Sequence, residues 1–581
     1  MRNRWLSYSM IWLAIVLVAA YLNPNHYQPW PAFHADWLTG LAFAPLLIWS
    51  TTILPRQSIP PLSALAFVLG IFGVFQWSIG VIKYFGDCAI QLCYLAAFGL
   101  SIIAGRSLQI NSKCERNGHG SEIASQGLWT AIVISGILSS GIAMYQIFEL
   151  NYSAIFVMDI IDRSRAYANL AQPNQLATLL ALAVVGGIAI FRKGIISRNT
   201  LIAVLAALSL GLATTKSRST ILFFLIFFSY TLVYKKWGRF DVSIAWPAFV
   251  MGLFVFFSIV IPEIRGAALL ESGASILERT HVGSRIGILK MSFEAIPMMP
   301  LFGYGANQIA QAQLATLRDN QALNFVFESS HNLLIDFILN FGVPVGLAVT
   351  IIIAFWLIRS MCRIRSNEAF LLLLAISALG SHAMIEFPLN YAYFLLPIGF
   401  FIGQMDGHTN NYRIDISKTY KILYWMIICA FMVLAGALYV FISLDYQKIE
   451  SKWRDMRYVL AKIQGSSVDF SDQPFVYNQF DDLIIFSVQS PRKNMPPGEL
   501  QRMKIATYRF NLSAITFKYA VAAALNNQPT ESAEAMLALC KMNHLRVCKI
   551  AIKDWDSYAN EVWPELSSVN ISDARALISG L

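Results

Sequence analysis

The chain has 581 residues, of which 56% are hydrophobic and only 13% are charged, and its net charge is +10. A soluble domain carries roughly twice this charged fraction, so the composition indicates an integral membrane protein and excludes an ordinary soluble enzyme. The basic residues stand in short clusters between apolar runs, which is typical of membrane topology and not of nucleic-acid binding.

The apolar residues fall into segments long enough to cross a membrane. A spanning helix needs about 20 mostly apolar residues, and about thirteen segments approach this requirement. They cover residues 6–22, 37–54, 62–80, 84–105, 127–148, 175–191, 201–215, 221–234, 243–261, 332–358, 370–385, 391–404 and 422–444. The sequence therefore predicts an all-α polytopic membrane protein with about 13 transmembrane helices. Residues 1–444 form the predicted transmembrane domain, with a large external loop at 262–331, and residues 445–581 form a helical external domain.

Lys and Arg residues are retained on the cytoplasmic side of a membrane, so their clusters predict the orientation of the chain. Most clusters follow an even number of predicted helices and therefore share one side. They begin at Arg2, Arg56, Arg106, Arg192, Lys235, Arg359 and Arg413. An odd number of helices then places the 262–331 loop and the C-terminus on the external side.

Several basic residues lie on the external side against this rule. They are Arg163, Arg165, Lys216, Arg218, Arg279 and Arg285. Other external cations, such as Lys83 and Arg318, make this an enrichment and not a clean partition. Positive charge retained on this side indicates a local anionic partner.

The first candidate motif is the segment 162–175, Asp-Arg-Ser-Arg-Ala-Tyr-Ala-Asn-Leu-Ala-Gln-Pro-Asn-Gln. Pro173 suits the first turn of a helix, where its missing N–H costs nothing. The free backbone N–H groups of that turn would lie near Arg163 and Arg165 and form an anion site. An ordinary helix start, with arginines that extend to the membrane interface, is the alternative.

A second motif, residues 214–220, joins two apolar helices with hardly any loop. Arg218 is therefore expected at or just inside the membrane boundary. An ionisable group at that depth is costly and is by default a functional candidate. The alternative is that Arg218 extends to a lipid phosphate.

The long polar stretch 279–331 carries two further arginines, Arg279 and Arg285. Their guanidinium groups suit bidentate contacts to phosphate. Gly303 and Gly305 predict a tight turn in the middle of the loop, which is enough to account for both glycines.

His331 lies where this loop re-enters the membrane as a helix. Ser329, Ser330 or the neighbouring backbone is expected to cap that helix, and Glu328 lies within one turn of the histidine. One interpretation of His331 is a polar residue that simply lies at the membrane interface. Near several external arginines, however, His331 is a candidate proton acceptor, because an imidazole commonly exchanges protons near neutral pH.

The fourth motif is the segment 381–391. His382 and Glu386 have the i, i+4 spacing of one helix face near its external end. A structural pair and a catalytic role are equal alternatives for them. The sequence contains no Walker loop, no HExxH zinc pattern and no nucleophile elbow.

The seven cysteines show no metal-ligand spacing. Cys88, Cys93, Cys362 and Cys429 fall in or beside apolar segments and are expected to be small core residues. Cys540 and Cys548 lie in the external C-terminal region, where a disulfide and two free thiols are alternatives.

Taken in order, these motifs resemble the bacterial O-antigen ligase and O-antigen polymerase superfamily. The resemblance covers most of the chain up to Met405. It rests on Asn169-Leu-Ala-Gln-Pro-Asn174, Ser217-Arg218, Pro300-Leu-Phe-Gly-Tyr-Gly305 and Ser330-His331-Asn-Leu-Leu. Within the superfamily, the 169–174 segment, the His382 and Glu386-Phe-Pro-Leu segment and the Pro29-Trp30 loop resemble O-linked protein oligosaccharyltransferases of the PglL type.

The resemblance implies transfer of a whole glycan from undecaprenyl pyrophosphate to Ser or Thr of pilins or other periplasmic proteins. The active site is expected at the periplasmic face of the bacterial inner membrane, without a metal or nucleotide cofactor. The expected partners are the lipid-linked oligosaccharide, the acceptor protein and inner-membrane lipid, and not nucleic acid.

The resemblance also assigns roles to residues. Arg163 or Arg165, Arg218 and Arg285 match pyrophosphate-binding arginines, and His331 matches an essential loop histidine. Arg279 joins the predicted pyrophosphate ligands without a match of its own, and Glu328 joins His331 as a catalytic candidate. The predicted supporting residues are Asn169, Gln172, Asn174, His382 and Glu386. The surroundings of Arg218, Lys216-Ser-Arg-Ser219, depart from the small residues expected there.

Two other classes of function remain open at this stage. One is a neighbouring enzyme that transfers O-antigen to lipid A core or polymerises repeat units. The other is a transporter of lipid-linked glycans, although transporters commonly show internal repeats and polar residues at mid-depth, which this sequence does not show.

Overall fold

The computed structural model describes residues 2–51, 59–114, 119–150, 155–160, 165–237, 243–267, 282–318, 323–409 and 421–579. These residues form helices and connecting loops, and no β-strand occurs among them. The all-α prediction is therefore confirmed.

The helices follow one another through the chain with mostly short connections. They are α1 (Arg2–Tyr21), α2 (Phe33–Thr51), α3 (Pro61–Ser78), α4 (Phe85–Cys114), α5 (His119–Ile147), α6 (Pro173–Arg192), α7 (Arg198–Thr215), α8 (Arg218–Lys236), α9 (Ala245–Ala267), α10 (Val282–Ala295), α11 (Ile309–Ala315), α12 (Leu333–Phe341), α13 (Val343–Arg363), α14 (Asn367–Ala383), α15 (Ala392–Thr409), α16 (Lys421–Leu460), α17 (Asn478–Val488), α18 (Pro497–Phe510), α19 (Ser513–Leu525), α20 (Pro529–Met542), α21 (Leu545–Glu561) and α22 (Ser572–Ser579).

Within the described part of the chain, eight helices are long and apolar enough to cross a membrane. They are α3 to α9 and α13. The apolar parts of α1 and α14 are shorter than this requirement. Each segment predicted to span contains a helix, but the count of about thirteen spans stays a prediction.

The chain divides into two compact units, and each contains several stretches of sequence. The first consists of Met1–Val68, Tyr94–Thr280 and Ile352–Ala435, and the second of Leu69–Cys93, His281–Ile351 and Gly436–Leu581. The predicted domain boundary at residue 445 falls inside α16, which continues to Leu460.

Helix α6 lies at the centre of the first unit. It is apolar on all sides, and every residue from Gln175 to Ile190 is buried. A helix of this kind is buried either in lipid or among other helices. Here it is buried among helices, because α5, α7, α8 and α14 all pack against α6. The N-terminal turn of α6, which carries the first motif, is therefore held by the core of the unit.

An ion pair lies inside the first unit, away from the motifs. Arg106 was expected in a cytoplasmic cluster, but α4 continues past it and its side chain is buried. Its Nε lies 3.1 Å from Oδ2 of Asp406 on α15. Close packing of the two helices brings the charges together, because Gly105 and Gly403 let the backbones of α4 and α15 touch.

In the second unit, α17 to α22 pack in sequential pairs around a core that contains Tyr519 and Trp555. A disulfide between Cys540 on α20 and Cys548 on α21 closes the connection between those helices. This decides between the two alternatives left by the sequence. A smaller core in the same unit joins α10, α11 and α12.

The segment 332–358 forms two helices and not the single span that the sequence predicted. The break is at Gly342, whose φ of 82° ends α12 before α13 begins. A Cβ atom at Gly342 would lie 2.3 Å from the Leu301 carbonyl oxygen, and one at Gly303 would lie 2.5 Å from the Leu339 carbonyl oxygen. The glycines therefore do more than form a turn, because they let two backbone segments lie in direct contact.

Hydrogen bonds hold this contact together. The N–H of Tyr304 donates to the Leu339 carbonyl (2.7 Å), and the N–H of Val343 donates to the Pro300 carbonyl (2.8 Å). From the end of α3, Gln76 Nε2 donates to the carbonyls of Phe302 (2.6 Å) and Asn340 (2.7 Å). Carbonyl groups released by the end of α12 are thus satisfied, as buried backbone groups must be.

Candidate active site

The segment 165–175 leads into α6 as the sequence predicted. Pro173 is the first residue of the helix, and Gln172 precedes it with extended backbone and no side-chain cap. Arg163 lies outside the described residues, so only Arg165 represents the predicted arginine pair. Its Nε donates to the carbonyl of Thr215, the last residue of α7 (2.9 Å). One predicted phosphate ligand therefore also satisfies a helix C-terminus, a favourable place for a cation.

A polar network, made of Arg165, Gln172, Asn174, Ser217 and Glu386, surrounds the start of α6. Asn174 is its centre, because Asn174 Oδ1 accepts from Ser217 Oγ (2.7 Å) and from Arg165 Nη2 (3.4 Å). The Asn174 amide donates to Glu386 Oε1 (3.2 Å), and Gln172 donates to Glu386 Oε2 (3.4 Å). The structure thus brings together residues from three of the four sequence motifs.

The sequence predicted that His382 and Glu386 lie on one helix face, but the structure does not place them so. Helix α14 ends at Ala383, so Glu386 lies in the turn beyond it. The two side chains bind different groups of α6: His382 Nδ1 lies 2.7 Å from Thr178 Oγ1, whereas Glu386 accepts from Asn174. Both side chains are buried. They join the end of α14 to the start of α6.

Arg218 is the first residue of α8 and its side chain is exposed. Ser217 precedes it as the N-cap and accepts from the N–H of Ser219 (3.3 Å), while Lys216 has left-handed backbone with φ 45°. Among the described residues, the Arg218 guanidinium has no hydrogen bond or ion pair. Its five donors are therefore open to an anion next to the polar network.

Asn169 has a bracing role in the first unit. Its amide donates to the carbonyls of Leu22 (2.7 Å) and Phe156 (2.9 Å), and Oδ1 accepts from the N–H of Met158 (3.1 Å). These bonds occupy both ends of the side chain with backbone groups. Asn169 therefore shapes the segment and is not part of the polar network.

Gln146, at the end of α5, is a residue that the sequence analysis missed. Its Nε2 donates to the carbonyls of Met158 (2.8 Å) and Ala168 (2.8 Å), and its Oε1 accepts from the N–H groups of Ala168 (2.8 Å) and Tyr167 (3.3 Å). Ala168 and Ala171 have φ of 50° and 60°. Such values are costly for a residue with a Cβ and persist only where the surroundings enforce them.

The histidine loop, residues 328–332, lies in the second unit. His331 is half-buried and has left-handed backbone with φ 56°. Its N–H donates to Ser329 Oγ (3.0 Å), and Ser329 Oγ donates to Asp336 Oδ2 (2.7 Å). The N–H of Ser330 donates to Asp336 Oδ1 (2.8 Å). Asp336, which the sequence analysis also missed, therefore holds the backbone of the loop through both of its oxygens.

The cap of α12 differs from the expected one. Asn332 is the N-cap, and its Oδ1 accepts from the N–H groups of Leu334 (3.1 Å) and Ile335 (3.3 Å). The serines expected to cap the helix, Ser329 and Ser330, instead order the turn before it. Asparagine is among the best N-cap residues, and its position directly after His331 was the signal in the sequence.

Glu328 is exposed and precedes this turn. Behind the loop lies a buried ion pair, in which Arg509 of α18 binds both oxygens of Asp87 at the start of α4 (2.7 and 2.8 Å). Gln308 also donates to Asp87 (3.0 Å). Burial alone would lower the pKa of Arg509, but the carboxylates of Asp87 and then Glu328 outweigh burial, and the pKa is raised.

Arg285 lies in the first turns of α10 and is half-buried. Because α10 and α12 share one small core, Arg285 and His331 belong to the same packed part of the second unit. Arg279 lies outside the described residues. The first unit thus presents an exposed guanidinium, that of Arg218, next to the polar network. The second unit presents the imidazole of His331 on a turn with left-handed backbone.

Models of known protein families match the chain in three regions. Their descriptions are O-antigen ligase for residues 201–350, virulence factor membrane-bound polymerase, C-terminal, for residues 368–543, and protein glycosylation ligase for residues 166–191. The last region contains Asn169, Gln172 and Asn174, and the first contains Arg218, Arg285 and His331.

Two curated proteins of Acinetobacter baylyi (strain ATCC 33305 / BD413 / ADP1) are similar to this chain. A general O-oligosaccharyltransferase is 28% identical over 503 residues, which is 84% of each chain. A ComP-specific O-oligosaccharyltransferase is 28% identical over 357 residues, 60% of this chain and 62% of its own. No solved structure matches the chain.

Proposed function

We propose that this chain, which belongs to the O-antigen ligase superfamily as an O-oligosaccharyltransferase, moves a glycan from undecaprenyl pyrophosphate to Ser or Thr side chains of periplasmic proteins such as pilin. The observation that carries the proposal is the polar network at the start of α6, with the exposed Arg218 beside it. The long similarity to a general O-oligosaccharyltransferase supports the same conclusion.

The chemistry requires stabilisation of a departing pyrophosphate. A lipid pyrophosphate is a good leaving group, so the main need is to neutralise the charge that grows on it. Arg218, Arg165 and Arg285 are the proposed cations, with the undescribed Arg163 and Arg279 as further candidates. A well-placed donor in a site of low dielectric contributes about 3 kcal/mol to the transition state. The hydrogen bonds from Arg165 to Asn174 and Thr215 fix one of these groups in advance.

The acceptor hydroxyl requires a base. A Ser or Thr hydroxyl is a weak nucleophile at neutral pH, and a positioned base accelerates its attack by roughly 10²–10⁴-fold. His331 is the proposed base, and Glu328 is the adjacent carboxylate. Direct attack on the anomeric carbon breaks its bond to the pyrophosphate oxygen, forms the bond to the acceptor oxygen and inverts the anomeric centre. The proton of the acceptor passes to His331, and no metal takes part.

The disulfide supports the proposed side of the membrane. Buried disulfides such as Cys540–Cys548 persist in oxidising compartments, including the bacterial periplasm, and are rare in the cytosol. This agrees with the orientation that the Lys and Arg clusters predict. We therefore propose an inner-membrane protein whose C-terminal helices and histidine loop face the periplasm.

The neighbouring activities use the same donor chemistry with a different acceptor. Both curated relatives carry the name of an O-oligosaccharyltransferase, which favours a protein acceptor over lipid A core or a growing glycan, and over transport without transfer. Intact-mass analysis of periplasmic proteins from cells with and without this chain tests the proposal. We expect acceptors heavier by one glycan only when the chain and a lipid-linked glycan are both present, and identical masses would contradict it.

Arg218 offers a matched comparison for the phosphate contact. We expect Arg218→Lys to lose most transfer activity, because an ammonium does not form the two parallel hydrogen bonds of a guanidinium. Arg198→Lys is the control, since Arg198 is also exposed and also the first residue of a helix after a serine N-cap. Equal activity of the two variants would show that Arg218 contributes only its positive charge and not a bidentate hydrogen bond.

A further inference from the structure

The last turn of α10 and the loop after it expose a run of apolar side chains. We define the apolar ridge as Phe293, Met298, Met299, Leu301 and Phe302, each between 37% and 62% exposed. The opposite face of α10 is buried in the small core with α11 and α12. The ridge is therefore not a region of poor packing, because the same segment has a packed face and a separate exposed one.

The ridge is joined to two membrane-spanning helices at their ends. The ring of Phe302 packs edge-on against Phe75 in the last turn of α3, with centroids 5.6 Å apart. The carbonyl of Pro300 accepts from the N–H of Val343, the first residue of α13 (2.8 Å). Both helices are long and apolar enough to span. The ridge thus lies at the level where two helices of membrane-spanning length and composition end and begin.

Two further features mark that level. Trp77, at the end of α3, is 39% exposed, and exposed Trp side chains are enriched at the headgroup region of membranes. Lys290 on α10 is also exposed, with its Nζ 3.9 Å from Oε1 of Glu294. A lysine at this level keeps its charge in water while its stem lies along apolar surface. The outward side of α10 is itself apolar, because Ile286 and Phe293 are 59% and 62% exposed.

We infer that the apolar ridge inserts into the lipid leaflet at which α3 ends and α13 begins. Lipid, and not a protein partner, is the occupant, because the ridge contacts the ends of two helices whose length and composition suit a membrane span. Because α10 and α12 share one core, an inserted ridge holds the histidine loop at the membrane surface. If the proposed function is right, this is where the headgroup of a lipid-linked donor lies.

Spin labels measure the depth directly in the full chain reconstituted in liposomes. The cysteines other than Cys540 and Cys548 are replaced by Ala, and single labels are placed with Met299→Cys or Leu301→Cys. Ile351→Cys, exposed on the spanning helix α13, is the standard for a position in lipid. Gln501→Cys, exposed on α18, is the standard for a position in water.

We expect the ratio of oxygen access to nickel-chelate access at residues 299 and 301 to be severalfold higher than at 501 and close to that at 351. A ratio equal to that at 501 would overturn the inference. Should the cysteine replacements impair folding, a photoreactive benzoylphenylalanine is placed at Leu301 in the natural background. We expect it to cross-link to lipid, and a lack of lipid cross-links would also overturn the inference. The label readings do not depend on transfer, so failure of the proposed function would leave them unchanged.

Discussion

Gln146→Leu is the substitution whose consequence follows most directly from the structure. The side chain is buried and its amide serves four backbone groups, three of them at 2.8 Å and one at 3.3 Å. Each such bond contributes about 1 kcal/mol net, so the three bonds to the backbone of Tyr167 and Ala168 together stabilise this segment by about 3 kcal/mol. The left-handed Ala168 depends on this support, since its conformation costs at least about 1 kcal/mol.

Glycan transfer should slow strongly even if only part of this free energy affects the rate of transfer. A tenfold loss of rate corresponds to about 1.4 kcal/mol, less than half of the support that Gln146 provides. We therefore expect Gln146→Leu to reduce glycan transfer at least tenfold, by displacing the segment that carries Arg165 and leads to Asn174. Hydrogen exchange followed by mass spectrometry should show faster exchange at the amides of Tyr167 and Ala168.

Gln404→Leu is the matched control. Gln404 is equally buried in the same unit, yet among the described residues neither end of its amide has a hydrogen-bond partner. Removing an unsatisfied buried amide is neutral or stabilising, so this variant should retain transfer and native exchange rates. Like behaviour of Gln146→Leu and Gln404→Leu in both measurements would show that Gln146 does not support the 167–168 backbone.

Further substitutions and treatments have equally definite outcomes. Arg509→Ala should lower the unfolding free energy by about 3–5 kcal/mol, because the buried Asp87 carboxylate then has no counter-charge and keeps only the hydrogen bond from Gln308. Arg575→Ala, which breaks an exposed pair, should cost less than about 1 kcal/mol. Equal thermal shifts of the two purified variants would contradict this. Cys540→Ser, which opens the loop closed with Cys548, should cost about 2.5 kcal/mol, and dithiothreitol should lower the melting temperature of the parent but not of this variant. Transfer by the purified protein should continue unchanged in excess EDTA, and a loss that added Mg²⁺ or Mn²⁺ restores would disprove the proposed metal-independent mechanism.

Local chemistry made parts of this structure predictable. Pro173 indicated the start of α6 correctly, because its fixed φ and missing N–H matter within one turn. The apolar segments located the helices, because a run of apolar residues is also a local property of the sequence. The motifs also identified Asn174, Glu386 and Arg165, which the structure joins in one network although they are far apart in sequence.

The parts that escaped prediction depend on partners distant in sequence. Gln146 has no local signature, since its importance comes from a segment about twenty residues later that folds back on it. The break at Gly342 requires the backbone near Leu301 to press against it, and no periodicity within 332–358 reveals that contact. Asp336 could have been suspected, because a carboxylate in the first turn of a helix commonly binds free N–H groups before it.

Reconstitution of the purified chain in liposomes tests the central claim most directly. The liposomes contain undecaprenyl-pyrophosphate-linked glycan, a pilin acceptor is added, and its intact mass is measured over time. We expect a mass increase of one glycan with the wild-type chain and none with His331→Asn, in which asparagine tolerates the left-handed backbone but supplies no base. An unmodified acceptor with the wild-type chain, or equal modification by His331→Asn, would contradict it.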